Sequence, residues 1–217
     1  MLQATVMGMV TIDPTTVIWS APERERAGRP LLVLLHGYGS HEGDLFGMSP
    51  QLPLGPVIAS VRGPIAAGPG FAWAPLSRQA DDATVAASAG EVAHALLDWL
   101  DTTESTSVGL LGFSQGGAVA LQLLRSAPER FAFAACLSGF AVADNNPGDA
   151  ELARIAPPVF WGRGTLDEVI TPDKIDYTDR WLPGHSTLTA RIYEGLGHSV
   201  SRPELDDVNA FIRSVWG

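Results

Sequence analysis

Short, uninterrupted apolar runs divide the chain into regular pieces. Residues 31–35, 57–61, 108–111, 131–137, 158–161 and 188–193 are each too short for a helix, and they are apolar at consecutive rather than alternate positions. Strands of this kind meet apolar layers on both faces, as in the interior of a parallel sheet covered by helices. Between them the period changes. Within residues 81–100, Val85, Ala89, Val92, Leu96 and Leu100 recur at steps of three or four, which lays one apolar stripe along a long helix. Residues 115–125 form a second helical segment stopped by Pro128, and a last helix opens at the capping box of Ser201 and Glu204 with Leu205, Val208, Ile212 and Val215 on one face. Strand and helix in alternation predict a doubly wound α/β fold, a mostly parallel sheet with helices on both faces. Ahead of it, β-branched runs at 6–12 and 15–19, split by Asp13 and Pro14, predict an N-terminal antiparallel hairpin.

Composition narrows the picture. With 217 residues, 46% hydrophobic and 18% charged, the chain buries one sizeable core and is too short for two ordinary α/β domains, so a single domain over 1–217 is expected. The net charge of −10 repels phosphate backbones and anionic lipid surfaces, which sets nucleic acids aside and favours small molecules as partners. The one cysteine, Cys136, excludes an internal disulfide and a cysteine-based zinc cluster, and its place inside an apolar strand makes it structural. Residues 105–124 carry no charge and are about long enough to span a bilayer, yet Gly109, Gly112, Ser114, Gln115, Gly116 and Gly117 read as strand, tight turn and helix start. No stable membrane insertion is expected. Residues 1–10 lack a basic stretch before their apolar positions, the pattern of a cytoplasmic protein.

The sharpest chemical signal is Gly112-Phe113-Ser114-Gln115-Gly116, a G-x-S-x-G between the strand at 108–111 and the following helix. A serine presented on a strained strand-to-helix turn needs small neighbours, because side chains on either flank would collide. A hydroxyl is a poor nucleophile until a base stands within hydrogen-bond reach. Of five histidines, His94 lies in the long amphipathic helix, His41 and His185 in polar loops, and His36 at a strand end, where a structural role under the loop is expected. His198, after Gly195-Leu196-Gly197, follows the last strand and faces the carboxyl edge of the sheet, where the serine also points. It is the expected base. If the order nucleophile, acid, histidine holds, Asp144, Asp149, Asp167, Asp173, Asp176 and Asp179 qualify, and only Asp167 sits just beyond a strand on a glycine-containing loop. Asp173 reads as the cap of the next helix. The strand at 31–35 runs into His36-Gly37-Tyr38-Gly39, so the oxyanion donors are assigned to the main-chain N–H groups of Tyr38 and Gln115, with side-chain identity there expected to matter little.

Taken together, Leu35-His36-Gly37-Tyr38-Gly39, Asp44-Leu45, Val61-Arg62-Gly63-Pro64, Gly70-Phe71-Ala72-Trp73, the serine motif through Gly117, Ser138-Gly139, Asp167 and Gly197-His198 resemble the phospholipase/carboxylesterase family of α/β-hydrolases. The resemblance covers the chain from Leu31 onward. It implies an α/β-hydrolase fold and a serine hydrolase acting on carboxylic esters or thioesters, with Ser114, Asp167 and His198 as catalytic residues and no metal or organic cofactor. Arg163-Gly164 stands where such proteins often have His-Gly, and Tyr38 where a smaller residue is common. Leu45, Met48, Phe71, Trp73, Trp161 and Leu166 are the candidates for an acyl pocket. The 19 residues of 139–157 are too few for a cap domain. The expected partner is a small-molecule ester or thioester, with a homodimer left open. A lactonase or peptidase on the same machinery, and a binding protein that keeps the fold without catalysis, are the competing readings.

Overall fold

The computed structural model describes residues 10–75 and 82–217. Its strands are β1 (Ile18–Trp19), β2 (Leu31–Leu35), β3 (Val57–Val61), β4 (Ile65–Ala67), β5 (Gly70–Ala72), β6 (Val108–Phe113), β7 (Phe133–Leu137), β8 (Pro158–Gly164) and β9 (Thr187–Tyr193). The α-helices are α1 (Glu42–Phe46), α2 (Asp82–Leu100), α3 (Gln115–Ser126), α4 (Asp149–Ile155), α5 (Pro172–Trp181) and α6 (Arg202–Trp216). Seven strands make the central sheet in the order β1-β3-β2-β6-β7-β8-β9, parallel except for β1. This is the doubly wound α/β sandwich that the alternation of periods predicts.

Consecutive apolar residues find separate layers. Leu31, Val33 and Leu35 of β2 pack into a core shared with α2 and α3, including Val92, Leu96, Val119 and Leu123. Leu32 and Leu34 point the other way, into a core built with Val208, Phe211 and Ile212 of α6 and Leu45 of α1. The uncharged run at 105–124 resolves into β6 and the start of α3. No helix among the described residues is long and apolar enough to cross a membrane.

Three expectations change. The antiparallel pair at the N-terminal end exists, but β1 pairs with β3 (Ile18 opposite Ser60, Trp19 opposite Ala59), and residues 10–12 carry no strand. The part of the predicted hairpin at 6–9 lies outside the described residues, as does Asp81 at the start of the predicted long helix. The run at 188–193 is not an interior strand: β9 is the edge of the sheet, and most of its residues are exposed or half-buried. Finally, Thr171 rather than Asp173 occupies the N-cap of α5, with Pro172 at the first helical position and Asp173 in the first turn, where a negative charge suits the helix dipole.

Between β7 and β8 the only α-helix is α4, of seven residues. Arg125 of α3, buried, holds this crossing down. Its guanidinium pairs with Asp144 (2.6 Å) and Asp149 (2.7 Å), donates to the Val142 carbonyl (2.8 Å) and lies over the Trp181 ring. The segment is thus a pinned connection with no cap domain on it.

Candidate active site

The chain order reverses at β2: β3 lies on one side of it and β6 on the other, so the carboxyl ends of β2 and β6 open into the crevice where ligands bind in sheets of this kind. Ser114 stands at the end of β6 with φ 55° and ψ −117°, a conformation that L-residues rarely adopt. Sterics explain its neighbours. A Cβ at Gly112 would run into the Gly116 carbonyl, and one at Gly116 into the Leu35 carbonyl of the adjacent strand. Only glycine at both places lets the chain turn from β6 into α3 beneath β2. The Ser114 N–H donates to the Leu137 carbonyl (2.8 Å), fixing the turn to β7.

His198 Nε2 lies 2.9 Å from Ser114 Oγ, and His198 Nδ1 lies 2.8 Å from Asp167 Oδ2. An ionised carboxylate only accepts, so Nδ1 carries the proton and Nε2 is left free to receive the hydroxyl of Ser114. The other oxygen of Asp167 accepts from the N–H groups of Val169 (2.9 Å) and Ile170 (3.2 Å). Burial alone would raise this carboxyl, but the hydrogen bonds from His198, Ile170 and Val169 outweigh it and hold it below the ordinary 3.8. The two loops that carry acid and base are tied together: Leu166 N–H donates to the Leu196 carbonyl, Gly195 N–H to Thr165 Oγ1, and Thr165 N–H to the Tyr193 carbonyl. Residues 84 and 31 positions apart in the chain are thereby brought into one hydrogen-bonded line.

The other histidines are engaged elsewhere. His41 caps α1 by accepting from Gly43 N–H, His94 bonds the Gly90 carbonyl on α2, and His185 stacks on Trp181. His36 is fully buried and spans two main-chain groups, donating from Nδ1 to the Gly37 carbonyl (2.7 Å) and accepting at Nε2 from Gly63 N–H (3.0 Å). Burial lowers its pKa, which matches a neutral strut. Asp144, one of the competing aspartates, is held by Arg125, remote from His198 in its contacts.

The loop after β2 lies against the serine: a Cβ placed on Gly37 would sit 3.5 Å from Ser114 Cβ. Neither the Tyr38 nor the Gln115 N–H meets an acceptor among the described residues. Gln115 contributes more than its main chain, however. Its Oε1 accepts from Trp73 N–H (2.9 Å) and its Nε2 donates to the Ala74 carbonyl (2.8 Å).

The acyl-pocket candidates fall into two groups. Trp73, Trp161 and Leu45 are packed inside the cores, Trp73 with its indole N–H on the His36 carbonyl (2.7 Å) and Trp161 with its own on the Gly139 carbonyl (3.2 Å). Met48 packs partly buried on the α6-side core. Phe71 is half-buried with the Arg62 guanidinium over its ring, and Leu166 and Tyr38 are exposed at 62% and 44%. Of the acyl-pocket candidates, only Leu166 is thus exposed, with Phe71 half-buried. Two cavities of about 410 and 820 Å3 lie elsewhere, lined by residues such as Trp19, Arg26 and Trp99, and Ile12, His94 and Asp98, and neither includes a residue of the Ser114 line. Chemistry, not cavity size, selects the site. Cys136 is buried, its thiol pushed up to about 12 by desolvation, as a structural cysteine should be. No group of three His, Cys, Asp or Glu side chains among the described residues is arranged to hold a metal ion.

This fold and this arrangement define an α/β-hydrolase. The phospholipase/carboxylesterase family model matches residues 66–216, and the chain belongs to that family. Acyl-protein thioesterase 1 of Candida albicans is 35% identical over 114 residues, covering 48% of each chain. The chain spans about half the length of the curated relatives it matches. Among solved structures, an esterase designated PE8 superimposes with a TM-score of 0.72 at 28% identity, over 87% of this chain and 94% of that one. A Bacillus cereus carboxylesterase shares the fold at 17% identity and a TM-score of 0.73, over 92% and 93% of the two chains.

Proposed function

We propose that the protein is a serine hydrolase that cleaves carboxylic ester and thioester bonds by two-step acyl transfer. The observation that carries this reading is the continuous line from Ser114 Oγ through the His198 ring to Asp167, with distances of 2.9 and 2.8 Å, on a serine held in a strained turn. Ser114 attacks the carbonyl carbon while His198 Nε2 takes its proton, and Asp167 holds the imidazole in the tautomer that accepts and stabilises the imidazolium that forms. The negative charge that develops on the carbonyl oxygen is met by the N–H groups of Tyr38 and Gln115, the second at the positive end of α3. His198 then protonates the departing alcohol or thiol. Water, deprotonated by the same nitrogen, attacks the acyl-serine and releases the acid.

The relatives named as thioesterases and carboxylesterases support the choice of bond, since both leaving groups need only this machinery. A site without a cap domain, edged by the exposed Tyr38 and Leu166, suits short to medium acyl chains that remain partly in water. A fluorophosphonate should add one adduct per chain at Ser114. Ser114→Ala should abolish both the adduct and turnover of p-nitrophenyl and thiol ester substrates with an unchanged circular-dichroism spectrum. Labelling at another serine, or turnover that survives in Ser114→Ala, overturns the assignment.

A further inference from the structure

The two assigned oxyanion donors come from separate parts of the chain, one on the loop after β2 and one at the first residue of α3. The β4–β5 hairpin, which stands outside the main sheet, and Trp73 and Ala74 directly after it touch both. On the β2 side, Gly39 N–H donates to the Phe71 carbonyl (2.8 Å) and Phe71 N–H to the Ser40 carbonyl (2.7 Å), which pairs the chain immediately after Tyr38 with β5. Trp73, fully buried, donates its indole N–H to the carbonyl of His36, two residues before Tyr38. On the α3 side, the Gln115 amide uses both ends: Oε1 accepts from the main chain of the same Trp73, and Nε2 donates to Ala74. Trp73 is thus a rigid cross-piece with one donor-bearing segment bonded to each end.

From this geometry we infer that the side chain of Gln115 is a positioning residue for acyl transfer, its amide fixing the separation of the Tyr38 and Gln115 N–H groups through Trp73. The inference rests on the proposed function above. It follows that identity at Gln115 matters, although the N–H that would touch the oxyanion belongs to any residue. A donor displaced by about an ångström from the developing charge loses much of its electrostatic benefit, and misplacement on that scale costs up to about 100-fold in rate.

Gln115→Ala and Gln115→Met both keep the N–H, the second also keeping side-chain length while removing both hydrogen bonds. Each should lower kcat for a p-nitrophenyl ester by roughly 10- to 100-fold with KM changed less than about threefold, because the ground-state carbonyl leans on the donors far less than the oxyanion does. The acid limb of the pH profile should stay where it is, since the His198–Asp167 pair is untouched. Trp73→Phe removes the indole bond to His36 at the other end. If both bonds act through one bridge, the double variant Gln115→Met/Trp73→Phe should lose less than the product of the single losses. Should Gln115→Ala fail to fold, Gln115→Met carries the test. A lowered melting temperature with kcat within twofold of wild type, or losses in the double variant that simply multiply, overturns the inference and leaves Gln115 as a structural clamp. Failure of the proposed function would look different: Ser114→Ala would retain activity whatever Gln115 does.

Discussion

Glu204 offers the most direct test of the physical account, because it is a carboxyl with no exposed surface and, among the described residues, no ion-pair partner. It sits at the third position of α6. Its N–H donates to the Ser201 hydroxyl oxygen and its Oε2 accepts from Ser201 N–H, while Oε1 has no hydrogen-bond partner among the described residues. Gly162 of β8 makes room for it, since a Cβ there would collide with Oε1. Burial raises the carboxyl from the ordinary 4.5 to about 7, against the single lowering bond from Ser201. The folded protein therefore keeps a proton on Glu204 up to about pH 7 that the unfolded chain releases near 4.5. Stability from this group is full below 4.5 and is lost as pH rises towards and through 7. Each tenfold change in proton affinity is worth about 1.4 kcal/mol, so ionising Glu204 in place costs on the order of 3 kcal/mol. Glu204→Gln keeps a side chain that serves a capping box and stays neutral at every pH. It should match wild type at pH 4.5 and exceed it by up to about 3 kcal/mol at pH 8.5, or roughly 6–12 °C in Tm for a chain of this length. Urea and thermal unfolding of both proteins at the two pH values measure the difference, and the groups they share cancel. An advantage that is the same at both pH values, or absent at pH 8.5, refutes the claim that Glu204 is buried without compensation.

Two further predictions concern the reaction. Asp167→Asn should keep the fold but lower kcat by roughly 10^4-fold, because an amide N–H facing His198 Nδ1 imposes the wrong tautomer; steady-state kinetics showing near-wild-type turnover would remove Asp167 from the mechanism. Across a series of p-nitrophenyl esters, each added methylene should strengthen kcat/KM by less than the roughly 0.8 kcal/mol of full burial, since Tyr38 and Leu166 are largely exposed. Rates should also rise smoothly with ester concentration, and a jump at the onset of substrate micelles would reveal a lid that the pinned segment between β7 and β8 does not provide.

Much of this protein can be read along its sequence, for reasons of range. The strand and helix periods are set by which neighbours face the same way, so the pattern delimits β2 and β3 to the residue and α3 to within one, and the capping box marks the start of α6. The serine turn was legible because its glycines answer clashes with the local chain and the adjoining strand, and Asp167 and His198 because each follows a strand on a glycine-containing loop. What depends on distant partners was not. Strand order alone makes β9 an edge, although its apolar run looks like an interior strand, and it gives β1 to β3 instead of to the residues before it. Trp73, Trp161 and Leu45 lie near functional motifs in the chain, yet the side chains point into cores that only packed layers create. The pairing of β5 with the loop after β2, the grip of Gln115 on Trp73 and Ala74, and the seat of Glu204 against Gly162 each join segments tens of residues apart. A periodic pattern records the environment of a residue and not the identity of its partner, so the candidate catalytic residues could be named from the chain, while the scaffold that sets their spacing appears only in three dimensions.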